Sequence, residues 1–238
     1  MWVAGRAAKL LGEESIVIQA VLFDLDGTLL NRKLAHEHFM LDQATRFSAD
    51  LSGVSPQAYV EVAVRFDRNG TAARKEAFPR IARELALSDE LAQRLMDDYR
   101  AKFPASCTLF PGVDETLAAL RGAGLRVGLI TNGSTVMQSG KLDAVALRAQ
   151  LDAILISEAE GLRKPEVAIF HLAAARLDAS PAHCLFVGDN PDADVRGAKA
   201  AGMRAVWIRD PWWEEPQEAD AVIDEVRQLL PLIESWQG

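Results

Sequence analysis

Short runs of apolar residues, each followed by a cluster of polar ones, recur along most of the chain. The first run spans residues 16–23, and further runs lie at 125–130, 153–156, 184–187, 204–208 and 219–223. They contain mainly Val, Ile, Leu and Ala with little alternation of polar positions, which is typical of strands buried on both faces of a parallel sheet. Segments with helical spacing of apolar residues separate the later runs. The pattern therefore predicts an α/β fold around a parallel sheet.

Residues 32–103 follow a different pattern, with apolar positions three or four residues apart and no candidate strand. We predict about four amphipathic helices here. Ser55 and Ser88 suit helix starts, and residues 69–71, Asn-Gly-Thr, suit a break between helices. Because this block interrupts the chain between the first two predicted strands, we expect an inserted α-helical cap. The expected organisation is an N-terminal extension at 1–15, a core at 16–31 and 106–238, and a cap at 32–105.

Composition and charge narrow the function classes. The chain has 238 residues, 49% of them hydrophobic, and a formal net charge of −8. Without a basic run, a nucleic acid polymer is not expected as a partner. A membrane partner is not expected either, because no run approaches the roughly 20 apolar residues of a span. Cys107 and Cys184 lie far apart, which fits a reducing compartment, and residues 1–15 lack the apolar core of a secretory signal. We expect a cytoplasmic monomer or homodimer.

Two aspartates follow the first predicted strand. Asp24 and Asp26 flank Leu25 and precede Gly27 and Thr28. Residues two apart in an extended chain point to the same side, so both carboxylates can face one crevice. They repel one another unless a cation lies between them or one stays protonated. This arrangement suggests a metal-assisted site, and an ordinary acidic turn is the alternative.

Polar residues also follow three later strands. Residues 131–134, Thr-Asn-Gly-Ser, offer a hydroxyl and backbone amides that suit an anion. Lys164 comes before Pro165 after the third strand, and residues 189–194 bring three aspartates after the fourth. Clustered carboxylates are ligands that Mg²⁺ prefers. Open parallel sheets bind ligands beyond the carboxyl ends of their strands, so these groups should converge.

Taken in order, the four polar stretches resemble the signature of the haloacid dehalogenase-like hydrolase superfamily, in its phosphatase branch with an inserted helical cap. The resemblance covers about residues 16–230 and implies a Rossmann-like three-layer core. It further implies that Asp24 is a nucleophile and Asp26 a general acid and base. The implied phosphate-binding residues are Thr131, Asn132, Gly133 and Lys164, and the implied Mg²⁺ site comprises Asp24, the Asp26 backbone carbonyl, Asp189 and Asp194.

The implied reaction is Mg²⁺-dependent hydrolysis of a small phosphorylated metabolite through an aspartyl-phosphate. A sugar phosphomutase stays open, since it needs both aspartates as well. A 2-haloacid dehalogenase would lack an acid at the position of Asp26, and a non-catalytic binding module would lack the catalytic residues. Substrate choice is expected to come from charges of the cap, namely Arg65, Asp67, Arg68, Arg74 and Lys75. His36 and His38 are expected to have a solvated or capping role, and Trp212 and Trp213 to pack at the surface.

Overall fold

The computed structural model describes residues 17–237, apart from the side chain of Arg74. The expectation for residues 1–15 lies outside this range. Six strands form one sheet in the order β3-β2-β1-β4-β5-β6, and all five pairings are parallel. The strands are β1 Ala20–Phe23, β2 Arg126–Thr131, β3 Ala153–Ile156, β4 Cys184–Gly188, β5 Arg204–Ile208 and β6 Ala221–Ile223. The prediction of a parallel sheet is confirmed.

Helices cover both faces of the sheet, because each strand sends alternate side chains to opposite sides. Val21 and Phe23 join an apolar cluster with Leu117, whereas Leu22 joins a separate cluster with Phe170. This arrangement is the predicted three-layer α/β core. Its helices are α5 Val113–Gly122, α6 Thr135–Ala144, α7 Ser157–Glu160, α8 Val167–Arg176, α9 Gly197–Ala200 and α10 Leu229–Gln237.

The order of the strands decides where a site can form. The chain runs from β1 outward through β2 and β3, then returns to place β4 on the other side of β1. Neighbouring strands therefore lead away in opposite directions at the boundary between β1 and β4. Crevices that bind ligands open at such switch points, so residues directly after β1 and β4 are brought together.

Four α-helices lie within residues 32–103, as predicted. They are α1 Arg32–Arg46, α2 Pro56–Asp67, α3 Arg74–Glu84 and α4 Asp89–Lys102. Ser55 and Ser88 accept hydrogen bonds from the first turns of α2 and α4. Because one apolar cluster continues from β1 into these helices, the division at residues 32 and 105 stays a prediction. No helix within residues 17–237 has the length and apolar character needed to cross a membrane.

The prediction of a solvated or capping role is wrong for His36, which is buried within α1, whereas His38 is exposed as expected. His36 is only 3% exposed and lies with its ring edge-on to Tyr99 and Phe103. The reason is its place on α1, four residues after Arg32 and three before Phe39, which are also buried. Residues with this spacing share one helical face, and that face is the one that packs inward.

Candidate active site

A buried lysine joins two aspartates at the carboxyl ends of β1 and β4. Lys164 Nζ lies 2.5 Å from Asp24 Oδ1 and 2.6 Å from Asp194 Oδ1, and all three residues are buried. Burial raises the pKa of Asp24 to about 7, with Asp194 adding to this effect and Lys164 opposing it. Burial alone would lower the pKa of Lys164, but Asp194 and Asp24 raise it to about 12. Lys164 is therefore a fixed positive charge.

A third carboxylate brings an excess of negative charge to the same place. Oxygens of Asp24, Asp189 and Asp194 lie within 4.8 Å of one another. Burial, together with Asp194 and Asp24, raises the pKa of Asp189 well above its usual value. Three carboxylates around one ammonium leave negative charge uncompensated, and clustered oxygen donors of this kind suit a hard divalent cation. The residues present therefore fit the Mg²⁺ that the sequence predicts.

A glycine and two tryptophans near Asp189 keep its carboxylate in place. Gly27 has φ +87°, and a Cβ atom there would lie 2.7 Å from Asp189 Oδ2, so a side chain would collide with the acid. Trp207 Nε1 donates to the backbone carbonyl of Asp189 at 2.5 Å, and Trp213 Nε1 lies 3.4 Å from its Oδ2. Trp212 is 55% exposed, as predicted for a surface residue. The prediction that Trp213 packs at the surface did not include the contact of its indole with Asp189.

Asp26 faces the same crevice but has partners of its own. Lys141 Nζ lies 2.8 Å and 2.6 Å from its two carboxylate oxygens, and Gln138 Nε2 donates to Oδ2 at 3.0 Å. Burial alone would raise the pKa of Asp26, but Lys141 and Arg32 hold it below its usual value. Asp26 is therefore ionised, whereas burial disfavours ionisation of Asp24. Neither Gln138 nor Lys141 was expected from the sequence.

The loop after β2 contains three residues that were predicted to bind phosphate. Thr131 is buried, and its hydroxyl oxygen accepts a hydrogen bond from Gln138 Nε2 at 2.5 Å. The side chain of Asn132 exchanges two hydrogen bonds with the backbone of Lys164. The amide of Gly133 donates to Ser157 Oγ at 2.9 Å. In this structure Asn132 and Gly133 therefore support the loops, and a direct contact with phosphate stays a prediction for both.

Two adjoining cavities open between the helices α1–α4 and the sheet. One of about 690 Å³ is lined by Asp24, Thr131, Lys164, Asp189 and Asp194 among others. The other, of about 710 Å³, extends from Asp26 and Lys141 towards the helical block. Both are lined by Asp26 and by the segment Gly70, Ala72 and Ala73. The carboxylates thus lie at the base of a crevice that is roofed by the inserted helices.

The charged residues of the helical block differ in their access to this crevice. Lys75 lines the larger cavity, as does Arg100, which was not among the expected residues. Arg65 instead pairs with Glu84 at 2.9 Å, and neither it nor Arg68 lines either cavity. The side chain of Arg74 lies outside the described part of the chain. The expectation of a substrate contact is therefore supported for Lys75 alone among these residues.

Asp67 is buried by a partner that the sequence did not indicate. Its two carboxylate oxygens accept hydrogen bonds from Arg32 Nη1 and Nη2 at 2.8 Å and 2.7 Å. Arg32 is the first residue of α1 and lines both cavities. A guanidinium held in this way by two parallel hydrogen bonds keeps its position. Asp67 therefore orients Arg32 at the crevice, and its own carboxylate is engaged.

Comparisons with known proteins agree with this geometry. A model of the haloacid dehalogenase-like hydrolase family matches residues 18–202. The chain is 32% identical to a ribulose-1,5-bisphosphate 5-phosphatase of Halopiger xanaduensis, with 90% of this chain and 98% of that protein covered. It is 33% identical to a glyceraldehyde 3-phosphate phosphatase of Methanopyrus kandleri, covering 91% and 97%. Among solved structures, a HAD phosphatase of Thermococcus onnurineus shares 28% identity and a TM-score of 0.64, covering 91% of this chain and 98% of that one.

Proposed function

Because this chain belongs to the haloacid dehalogenase-like hydrolases, we propose that it is a Mg²⁺-dependent phosphatase that hydrolyses a small phosphomonoester through an aspartyl-phosphate. The observation that carries the proposal is the buried trio Asp24, Asp189 and Asp194 around Lys164, with Asp26 held separately beside it. The trio fits a divalent cation, and Asp26 supplies a second carboxylate for proton transfer. Two similar relatives are named as phosphatases.

The first step is attack on phosphorus by a carboxylate oxygen of Asp24. A bond forms between this oxygen and phosphorus, while the bond from phosphorus to the ester oxygen breaks. Asp26 gives the leaving oxygen a proton. Asp26 is ionised in the structure, and it takes up this proton from solvent when the charge of an arriving phosphate dianion raises its pKa by repulsion. The substrate thus prepares Asp26 for its role as an acid.

The second step restores the enzyme. Asp26, which has lost its proton, removes one from a water molecule, and the water oxygen attacks phosphorus. The bond between phosphorus and Asp24 breaks, so that phosphate leaves and the free carboxylate returns. Thr131 donates a hydrogen bond to the phosphoryl oxygens, and Lys164 offsets their charge. Both residues are buried, and their effect is larger there than in water.

The acidic residues of the crevice would hold one Mg²⁺ ion. When bound, it offsets charge on the phosphoryl group and screens that group from the attacking carboxylate. The residues that would hold it are Asp24, the backbone carbonyl of Asp26, Asp189 and Asp194, the last directly or through water. Helices α1–α4 would act as the cap over the core formed by 16–31 and 106–238, and closure of the cap would exclude bulk water during transfer.

The substrate class follows from the crevice and from the relatives. Cavities of about 690 and 710 Å³ are large enough for a small metabolite. Similar relatives are named for ribulose-1,5-bisphosphate and glyceraldehyde 3-phosphate. We infer that a small sugar phosphate or a related metabolite is hydrolysed here, with Lys75 and Arg100 beside its leaving group. Such a substrate is consistent with the predicted cytoplasmic location.

A panel of phosphorylated metabolites with Mg²⁺ tests the proposal. We expect release of inorganic phosphate from at least one small ester, and loss of that activity with EDTA. Preference for a phosphopeptide over every small ester would show that the cap does not roof a metabolite site. Conversion between two sugar phosphates that depends on a bisphosphate would identify a phosphomutase. Halide release from 2-chloropropionate without metal would identify a dehalogenase.

A further inference from the structure

Two neighbouring residues of α6 face the catalytic crevice although the predicted mechanism assigns them no role. Gln138 and Lys141 are three residues apart and are only 2% and 4% exposed. Both contact the carboxylate of Asp26, and Gln138 also contacts Thr131. Residues with this spacing lie side by side on one helical face. One turn of α6 therefore connects two residues that belong to different strand ends.

We propose that Gln138 and Lys141 are positioning residues for phosphoryl transfer. Lys141 fixes the Asp26 carboxylate for proton transfer, and Gln138 aims the Thr131 hydroxyl at the phosphoryl group. The inference rests on the proposed function, because it assigns these two residues to the same reaction. It goes further in naming what holds the general acid and base and the phosphate-binding hydroxyl in their working orientations.

The contacts of Lys141 restrict the movement of Asp26. Its ammonium lies within 2.8 Å of both carboxylate oxygens, so rotation of the carboxylate would separate two buried opposite charges. The lysine is itself held, since its Nζ lies 5.7 Å from the centre of the Phe103 ring. One residue before it, a Cβ on Gly140 would lie 3.0 Å from Pro104, so α6 packs closely on this segment. The ammonium is therefore a fixed reference for Asp26.

The amide of Gln138 determines the direction of a hydroxyl. An ionised carboxylate only accepts hydrogen bonds, so the Gln138 group that faces Asp26 is the NH₂. One of its two protons goes to Asp26 Oδ2 and the other to Thr131 Oγ1. The hydroxyl oxygen of Thr131 is thus an acceptor here, and its own proton has to point elsewhere. The cavity that contains Asp24 and Lys164 lies beside it, which is where the phosphoryl group binds in the proposed reaction.

A stabilising role alone does not account for Lys141. Replacing a buried ion pair with well-packed apolar residues is often neutral or stabilising. The stability of the core alone therefore does not require an ion pair at this place, whereas the two contacts of Lys141 hold one carboxylate in one orientation. A positioning role and a structural role can be distinguished by measurement. Loss of positioning slows proton transfer to the leaving group, whereas the effect of a packing defect on the rate does not depend on the leaving group.

The experiment compares three matched variants in the full chain with Mg²⁺. These are Lys141→Met, Gln138→Met and the control Lys199→Met, which removes a lysine that pairs with Asp220 away from the crevice. Phenyl phosphate and p-nitrophenyl phosphate are the substrates. The leaving group of phenyl phosphate needs a proton, since the pKa of a phenol is about 10, whereas p-nitrophenolate leaves without one.

We expect Lys141→Met to lower kcat for phenyl phosphate on the order of 100-fold, with KM changed less than about threefold. With p-nitrophenyl phosphate it should keep a burst of about one product per site, followed by slow turnover, because Asp26 also activates the water. Lys141→Arg should recover part of the lost kcat. Gln138→Met should raise KM at least about tenfold, and Lys199→Met should behave as wild type.

Lys141→Met leaves the buried Asp26 without its cation, so a lower melting temperature is expected under either role. Equal losses of kcat for both esters without a burst would show that Lys141 is structural and overturn the proposal. Unchanged kinetics in Lys141→Met and Gln138→Met would overturn it as well. Failure of the proposed function is a different result, in which the wild type releases no phosphate from either ester or from any metabolite. The two failures are therefore distinguishable.

Discussion

Removing the positive charge of Lys164 should destabilise the protein strongly, because the lysine is the buried cation among three carboxylates. In Lys164→Met a side chain of similar length remains, so the change removes the ammonium with little loss of packing. Asp24 and Asp194 then lose their partners at 2.5 Å and 2.6 Å. Asp189 stays within 4.8 Å of both. The variant thus concentrates like charges without a counter-ion.

The expected loss follows from the kind of interaction. Removing one partner of a buried pair costs about 3–5 kcal/mol. For a chain of this size, about 1 kcal/mol corresponds to roughly 2–4 °C in melting temperature, so the melting temperature of metal-free protein should fall by roughly 6–20 °C. An exposed pair is worth less than about 1 kcal/mol. The control Lys199→Met, whose lysine is partly exposed beside Asp220, should lose no more than that.

The loss should also depend on pH. Burial raises the pKa of Asp24 from 3.8 to about 7 and that of Asp189 well above its usual value. An acid with a raised folded pKa binds more protons in the native state, so its contribution to stability falls as the pH rises towards that pKa. Without Lys164 these acids hold their protons more tightly still. The destabilisation should therefore be larger at pH 8 than at pH 5, where protonation relieves the repulsion.

Urea unfolding of wild type, Lys164→Met and Lys199→Met at both pH values, with EDTA throughout, measures these differences. Circular dichroism reports the fold, and the midpoints give the free energies of unfolding. A loss in Lys164→Met no larger than that of the control at pH 8 would contradict the reasoning. So would an equal loss at pH 5 and pH 8, since that would separate the effect from carboxylate charge.

Three further predictions concern the site. Asp24→Asn should abolish Mg²⁺-dependent hydrolysis of p-nitrophenyl phosphate while circular dichroism stays unchanged, because the amide cannot attack; near-normal turnover would remove Asp24 as the nucleophile. The affinity for Mg²⁺, measured by calorimetry, should increase from pH 5 to pH 8. The reason is that Asp24, with its pKa of about 7, and Asp189, with its raised pKa, lose protons when the ion binds. A constant affinity would contradict those pKa shifts. Lys75→Met and Arg100→Met should lower kcat/KM for the best metabolite at least about tenfold and change the hydrolysis of p-nitrophenyl phosphate much less. Arg65→Met is the control, and equal effects on both substrates would rule out specific contacts with the metabolite.

The main part of the site could be predicted because its residues lie in the segments that follow strands. Asp24, Lys164 and Asp189 come after β1, β3 and β4, and parallel strands bring their carboxyl ends to one edge of the sheet. Convergence is then a consequence of topology, and a residue's place in the chain is enough to find it. Asp194 was added to this set by the resemblance to the haloacid dehalogenase-like hydrolases.

Residues on helices could not be found in this way. Gln138 and Lys141 lie on α6, where polar residues are usually exposed, whereas here the helix packs closely on the segment at Pro104 and this face is buried. Arg32 and Asp67 are 35 residues apart, so the chain offers no local sign of their pairing. Within the cap, the choice between an inward and an outward charge depends on how helices pack, which periodicity alone does not determine.

Trapping of the aspartyl-phosphate is the measurement that tests the central claim most directly. The enzyme is mixed with excess substrate and Mg²⁺, quenched in acid and reduced with borohydride, which converts an aspartyl-phosphate into homoserine. Peptide mass spectrometry should then find homoserine at position 24 in the wild type and none in enzyme treated without substrate. Phosphate release without any modification at Asp24, or a modification at Asp26 instead, would contradict the assignment of Asp24 as the nucleophile.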